Sequence, residues 1–128
     1  MQPRIILADD NESVLTALRR LLEPDCEILG CFTTCSSLLD AAPHLLPDVV
    51  VLDVRMPDMN GLEACRQLKQ RIAQVRVVFL TASDDEEIKD RAFEIGALGF
   101  VHKYRIATDL LPAIREACAA QLTGEPGL

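Results

Sequence analysis

Residues 49–61 read Val49-Val50-Val51-Leu52-Asp53-Val54-Arg55-Met56-Pro57-Asp58-Met59-Asn60-Gly61. Four apolar residues stand in an unbroken run rather than alternating with polar ones. That is the pattern of a strand covered on both faces, as in a parallel sheet. The run ends on an aspartate. A loop with Pro57 follows, and Asn60 is placed to cap a helix carrying Leu62, Cys65, Leu68 and Ile72 at helical spacing.

Working outward, the same unit recurs. Ile5-Ile6-Leu7-Ala8, Val77-Val78-Phe79-Leu80 and Ala97-Leu98-Gly99-Phe100-Val101 are also continuous apolar runs. Glu27-Ile28-Leu29-Gly30-Cys31 is weaker and suits an edge strand. Helical spacing fills the gaps. Val14, Leu15, Leu18, Leu21 and Leu22 form one stripe, which Pro24 stops. Leu38, Leu39, Ala42, Leu45 and Leu46 form another, with Pro43 inside it. Ser83 and Glu86 have capping-box spacing for the fourth helix, and Gly96 is placed to end it. Leu110, Leu111, Ile114 and Cys118 mark the fifth, with Pro112 expected in its first turn. Strand and helix alternate five times, which predicts an α/β open parallel sheet.

Composition agrees with one packed domain. The chain has 128 residues, of which 49% are hydrophobic and 26% charged, so it is not a disordered polymer. A chain this size buries roughly two-thirds of its unfolded surface. No apolar run approaches the roughly 20 residues of a membrane span, and the short N-terminal run is no signal peptide. Twenty acidic residues against 13 basic ones give a net charge of -7. That surface repels nucleic-acid phosphates, so the chain alone is a poor binder of DNA or RNA. Five scattered cysteines, none in C-x-x-C spacing, read as reduced thiols of a cytoplasmic protein. Residues 1–120 are expected to form the domain. Residues 121–128, with Gly124, Pro126 and Gly127, read as a tail or the start of a linker.

The chemistry stands at the strand ends. Asp9 and Asp10 follow the first strand, Asp53 ends the third, Thr81 the fourth, and His102-Lys103 the fifth. In open parallel sheets these carboxyl ends face one crevice. Two carboxylates about 5 Å apart repel by roughly 3 kcal/mol at an effective dielectric near 20. Lys103 supplies one counter-charge for three acids. A divalent cation relieves the remainder, and Mg2+ takes one or two carboxylates, waters and a phosphate.

This set resembles the receiver domain of two-component response regulators. The resemblance rests on Ala8-Asp9-Asp10, on Leu52 to Gly61, on Leu80-Thr81-Ala82 and on Gly99-Phe100-Val101-His102-Lys103. It covers residues 4 to 119, and the Ala-Asp-Asp opening with Gly96-Ala97-Leu98-Gly99-Phe100 is most similar to the NarL/FixJ (LuxR-type) group. It implies a flavodoxin-like, doubly wound sheet of order 2-1-3-4-5 with five helices. It implies that Asp53 is the phosphoacceptor, fed by a sensor histidine kinase. Asp10, Asp53 and the backbone carbonyl of Arg55 would hold Mg2+, with Asp9 acting through a water. Lys103 would pair with Asp53 and then with a phosphoryl oxygen. Thr81 would move to meet the phosphoryl group, Phe100 would follow it inward, and Ala82 would line the phosphate. The implied output is transcription control through a DNA-binding domain absent from this chain, with a possible phosphorylation-dependent homodimer. A stand-alone receiver working through protein contacts is the alternative.

Many members carry a cis proline after the lysine. Here Tyr104 follows Lys103, and a non-proline cis bond costs about 2.5–4 kcal/mol, so that geometry is not expected. Arg55 is either a partial screen of Asp53 from water or a solvated arginine. His44 and His102 read as bystanders. The rivals are weaker. A dehalogenase-type phosphatase needs an acid at position 55, where Arg55 stands. A flavin or nucleotide carrier needs a phosphate loop after the first strand, where Asp9-Asp10-Asn11-Glu12 stands. A degenerate docking module would lack the key side chains, which are all present.

Overall fold

The computed structural model describes residues 2–120. Five strands, β1 (Arg4–Ala8), β2 (Glu27–Phe32), β3 (Val49–Asp53), β4 (Val77–Thr81) and β5 (Gly99–His102), form one sheet in the order 2-1-3-4-5. All four pairings are parallel. Five helices alternate with them: α1 (Glu12–Leu22), α2 (Cys35–Leu45), α3 (Gly61–Arg71), α4 (Glu86–Glu94) and α5 (Ile106–Ala119). The expected doubly wound sheet and its strand order are both present. The expected segment boundary at residue 120 borders residues outside those described.

The alternation of side chains along each strand splits the core in two. Ile6, Val50, Leu52, Val77 and Phe79 pack with Leu38 and Leu39 of α2, Leu68 of α3 and Ala92 of α4. Ile5, Leu7, Val49, Val51, Val78 and Leu80 pack with Leu15, Leu18 and Leu22 of α1 and Leu110 and Ile114 of α5. Strands β3 and β4 are buried along their whole length. Each fully buried Val, Leu or Ile contributes roughly 1.5–3 kcal/mol. Strand β2 is half-buried, as an edge strand should be, and its pairing with β1 slips at Ile5/Ile6.

Helix α2 carries Pro43 in its last turn. Proline has no N–H to give the carbonyl four residues back, Leu39 O. Arg71 of α3 fills that vacancy, with Nη1 donating to Leu39 O at 2.9 Å. The C-terminus of α2 turns at Leu46, whose φ is +51°, in the left-handed region. Arg4 covers it from β1: its Nη1 donates to Leu46 O at 2.9 Å and its Nη2 to Leu45 O at 3.2 Å.

Two expectations are corrected. The capping box of Ser83 and Glu86 does not form. Asp85 is the N-cap of α4 and accepts the Glu87 N–H at 2.9 Å, while Ser83 Oγ accepts the Asp85 N–H at 3.1 Å. An aspartate two residues nearer the helix outcompetes the serine because a carboxylate oxygen makes the stronger bond to a helix N-terminus. Pro112 is not in the first turn of α5. A 3-10 turn at Lys103–Arg105 leads straight into that helix, which starts at Ile106 and places Pro112 in its interior, on an exposed position.

Candidate functional site at the carboxyl edge of the sheet

Parallel register sets the strand ends side by side. Ala8 pairs with Leu52, Asp53 with Leu80 and Thr81 with His102. Asp9 and Asp53 are buried, Thr81 is 2% exposed, and Asp10 lies at the surface. One oxygen from each of Asp9, Asp10 and Asp53 can be chosen so that the three lie within 4.8 Å of one another. Sequence positions 9, 10 and 53 therefore meet as the strand-end reading expects.

Lys103 closes the cluster. Its Nζ donates to Asp53 Oδ2 at 2.9 Å and stands 2.8 Å from Asp9 Oδ2. The contact with Asp9 is an ion pair of hydrogen-bonding length, although the ammonium is not aligned squarely on that oxygen. Asp9 Oδ1 accepts the Asn11 N–H at 2.9 Å, and Asp53 Oδ1 accepts the Arg55 N–H at 3.1 Å. The peptide bonds of the described residues are trans, that before Tyr104 included. Lys103 nonetheless reaches both acids.

Burial raises the Asp53 pKa above the ordinary carboxylate value. The hydrogen bonds from Lys103 and the Arg55 N–H oppose that rise, and the neighbouring Asp9 adds to it. Burial by itself would lower the Lys103 pKa. The two carboxylates outweigh it, and the net shift is upward, so the ammonium stays charged.

The cluster fits a hard divalent cation. Its donors are all oxygens, it holds more negative than positive charge, and Asp9 Oδ2 is a buried oxygen left without an aligned donor. The Arg55 side chain is exposed, and residue 55 pairs with Asn60 in a short antiparallel bridge that closes the loop after β3. Gly61 N–H donates to Val54 O at 2.7 Å and anchors the end of that loop.

Thr81 Oγ1 accepts the Ser83 N–H at 3.0 Å, so its hydroxyl is turned along its own loop. Ala82 follows it at the surface. Phe100 is half-buried against the core, 6.4 Å from the Phe93 ring and 6.1 Å from the His102 ring. His102 in turn stacks on Tyr104 at 5.2 Å, and Tyr104 is 72% exposed. His102 thus belongs to an aromatic row on the β5 edge and not to the carboxylate cluster.

One residue with a structural part in the site carries no local sequence signal. Asp58, in the loop after Asp53, reaches back to the first turn of α2. Its Oδ1 accepts the Cys35 N–H at 2.9 Å, and its Oδ2 accepts the Ser36 N–H at 2.9 Å and the Ser36 hydroxyl at 2.8 Å. The three bonds hold its pKa down at about 2. The Cys35 thiol is fully buried beside this clamp. Burial first, then the charges of Asp58 and Asp53, push its pKa up to about 11.

The fold and the cluster together define a flavodoxin-like α/β domain with an acidic crevice bridged by a lysine. Comparison with known families is consistent with that description: the model of the response regulator receiver domain matches residues 5–115, and the chain belongs to that family, the receivers of two-component systems. It is 34% identical over 120 residues to the DNA-binding transcriptional activator DevR/DosR of Mycobacterium tuberculosis, covering 92% of this chain and 55% of that one. It is 32% identical over 120 residues to the nitrate/nitrite response regulator NarL of Escherichia coli, covering 92% of this chain and 56% of that one. A solved two-component response regulator of the LuxR family from Aurantimonas superposes with a TM-score of 0.89 at 29% identity, over 95% of this chain and 89% of that one. The expected likeness to the NarL and LuxR-type group is therefore found. The chain spans about half the length of the curated relatives it matches. No helix among the described residues is long and apolar enough to cross a membrane.

Proposed function

We propose that this domain is a phosphorylation switch in which Asp53 takes a phosphoryl group from the phosphohistidine of a sensor histidine kinase in the cytoplasm. The observation that carries this reading is the Lys103 ammonium set between Asp53 and Asp9, with Asp10 beside them. In the transfer, a carboxylate oxygen of Asp53 forms the new P–O bond as the P–N bond to the donor histidine breaks. The donor imidazole leaves with the electron pair and takes a proton from solvent.

Phosphoryl transfer needs positioning and charge neutralisation more than covalent help. Burial and the Arg55 N–H fix the Asp53 carboxylate. Lys103 is held where it can pass from Asp53 to a phosphoryl oxygen. Asp10, Asp53 and the Arg55 carbonyl would hold Mg2+, with Asp9 acting through a water. When bound, Mg2+ neutralises charge on the transferred group. Thr81 then exchanges its bond with the Ser83 N–H for one it donates to a phosphoryl oxygen. Ala82 leaves room for that oxygen, and Phe100 moves with Thr81. The domain catalyses only its own phosphorylation and its own slow dephosphorylation.

DevR/DosR is a DNA-binding transcriptional activator, and both it and NarL are nearly twice as long as this chain. We therefore assign residues 1–120 to the receiver and 121–128 to a tail or linker leading to a DNA-binding output domain. Phosphorylation would bias the α4, β5 and α5 face, with homodimerisation as its consequence. The test is labelling with acetyl phosphate. The parent chain is expected to gain one phosphoryl group only with Mg2+, and Asp53→Asn none. Equal labelling of both chains, or labelling without the metal, overturns the assignment.

A further inference from the structure

Helix α2 and the loop after β3 are separate in sequence, yet one side chain joins them. Asp58 spends both carboxylate oxygens on the first turn of α2, in three bonds of 2.8–2.9 Å. The helix also has its own N-cap, because Thr34 Oγ1 accepts the Ser37 N–H at 3.2 Å. Asp58 is therefore not needed merely to start the helix. Its bonds do something Thr34 cannot do: they tie the loop down.

What the loop carries explains why this matters. Arg55, three residues before Asp58, is pinned on one side by its N–H to Asp53 Oδ1 and on the other by its bridge with Asn60. Between Arg55 and Asn60 the chain forms a bulge with Pro57 and Asp58 at the surface, while Met56 and Met59 pack against the core and the Cys35 thiol donates weakly to Met59 O at 3.8 Å. Within that bulge, Asp58 makes the charged anchor to another element. Its bonds draw on the partial positive charge of the α2 N-terminus, where a carboxylate is favoured. Helix α2 is in turn fixed at its far end by Arg4 and in its last turns by Arg71. The bulge is thus tied to an element that is itself held at three points.

We propose that Asp58 is a positioning residue for the metal site: by clamping residues 55–60 to the first turn of α2, it fixes the direction of the Arg55 carbonyl and so sets the affinity for Mg2+. This deepens the reading given under Proposed function and rests on it. Asp58 itself does not touch the metal. It acts through the backbone, as supporting groups do for first ligands in other metal sites.

The test is Mg2+ binding by titration calorimetry on the whole chain, read beside the thermal midpoint of each variant without metal. Asp58→Ala is expected to weaken Mg2+ binding roughly 10-fold. Ser36→Ala, which removes one of the three bonds and keeps the helix, is expected to fall between that variant and the parent. Thr34→Ala loosens the same helix end without touching the loop. It is expected to lower the midpoint but leave Mg2+ affinity within about twofold of the parent. Unchanged affinity in Asp58→Ala overturns the clamp while leaving the metal site standing, and so does an equal loss in Thr34→Ala. A parent chain that binds no Mg2+, or binds it as well after Asp53→Asn, overturns the metal site itself and the clamp's role with it.

Discussion

Gly61 lies directly against the backbone carbonyl of Asp53. A Cβ built on Gly61 would collide with that oxygen and would lie 2.9 Å from both the Cα and the carbonyl oxygen of Val54. Real Cβ atoms do not sit so close to backbone, so the first residue of α3 is a glycine because the strand carrying the phosphoacceptor candidate passes beneath it. Gly61→Ala must push the end of β3 aside. The expected cost is about 1–3 kcal/mol in urea unfolding, as for other overpacked sites, together with slower labelling by acetyl phosphate. A variant as stable as the parent would show that α3 can shift without cost.

Lys103 is the cation shared by Asp53 and Asp9. Lys103→Met keeps the length of the stem and removes the charge. Two buried carboxylates then face each other with no cation between them. Without metal the loss is expected at about 1–3 kcal/mol, the range for leaving a buried acceptor unpaired, and acetyl phosphate labelling is expected to fall sharply. Urea midpoints at neutral pH, with and without Mg2+, read the first quantity.

Asp53 and Asp58 should pull the pH dependence of stability in opposite directions. Burial raises the Asp53 pKa from its ordinary 3.8, so the folded chain keeps that proton to higher pH than the unfolded chain does. Its contribution is most favourable below the unfolded value and is lost as the pH rises through the raised folded value. The Asp58 pKa is lowered from 3.8 to about 2. Its contribution is present above the unfolded value and is lost as the pH falls through about 2. As the pH rises above about 4, in metal-free buffer, Asp53→Asn is expected to gain stability relative to the parent. Between about pH 4 and about pH 2 the parent is expected to lose the advantage it holds over Asp58→Asn, while above about pH 4 those two curves run parallel. Denaturation midpoints of the three chains from about pH 2 upward decide the matter: an Asp53→Asn curve parallel to the parent above about pH 4 contradicts the first assignment, and an Asp58→Asn curve parallel to it below about pH 4 contradicts the second.

Mg2+ should stabilise the folded chain by mass action. At a free concentration ten times its dissociation constant the gain is about 1.4 kcal/mol, visible as a rise in thermal midpoint that chelation reverses. Asp10→Asn removes one of the three clustered carboxylates from an exposed position and should abolish the rise while barely altering the metal-free midpoint. A rise that persists in that variant would place the ion elsewhere.

Much of this was open to reading before any coordinate, for a physical reason. In a parallel sheet a strand covered on both faces announces itself as an unbroken apolar run, and its carboxyl end is the residue where polarity returns. Asp53, Thr81 and Lys103 could be assembled from sequence because each stands at or just past such an end. Helix starts were harder. The α5 start was obscured because Lys103, Tyr104 and Arg105 form a 3-10 turn with no capping side chain, so nothing marks Ile106 as the beginning. At α4 the acidic run after Ser83 offers more than one capping oxygen, and the choice of Asp85 falls to local geometry. The Asp58 clamp was out of reach altogether, since its partners stand 22 and 23 residues away and no periodicity links a loop aspartate to another helix.

The buried thiol of Cys35 feels the charges of Asp58 and Asp53 yet is shut off from solvent. With a pKa near 11, only about one molecule in ten thousand carries a thiolate there at neutral pH. Thiophilic ions such as Zn2+ and Cu+ seek anionic sulfur, and here they meet a neutral, inaccessible one. The donors clustered at the strand ends are then all oxygens, the kind a hard ion takes.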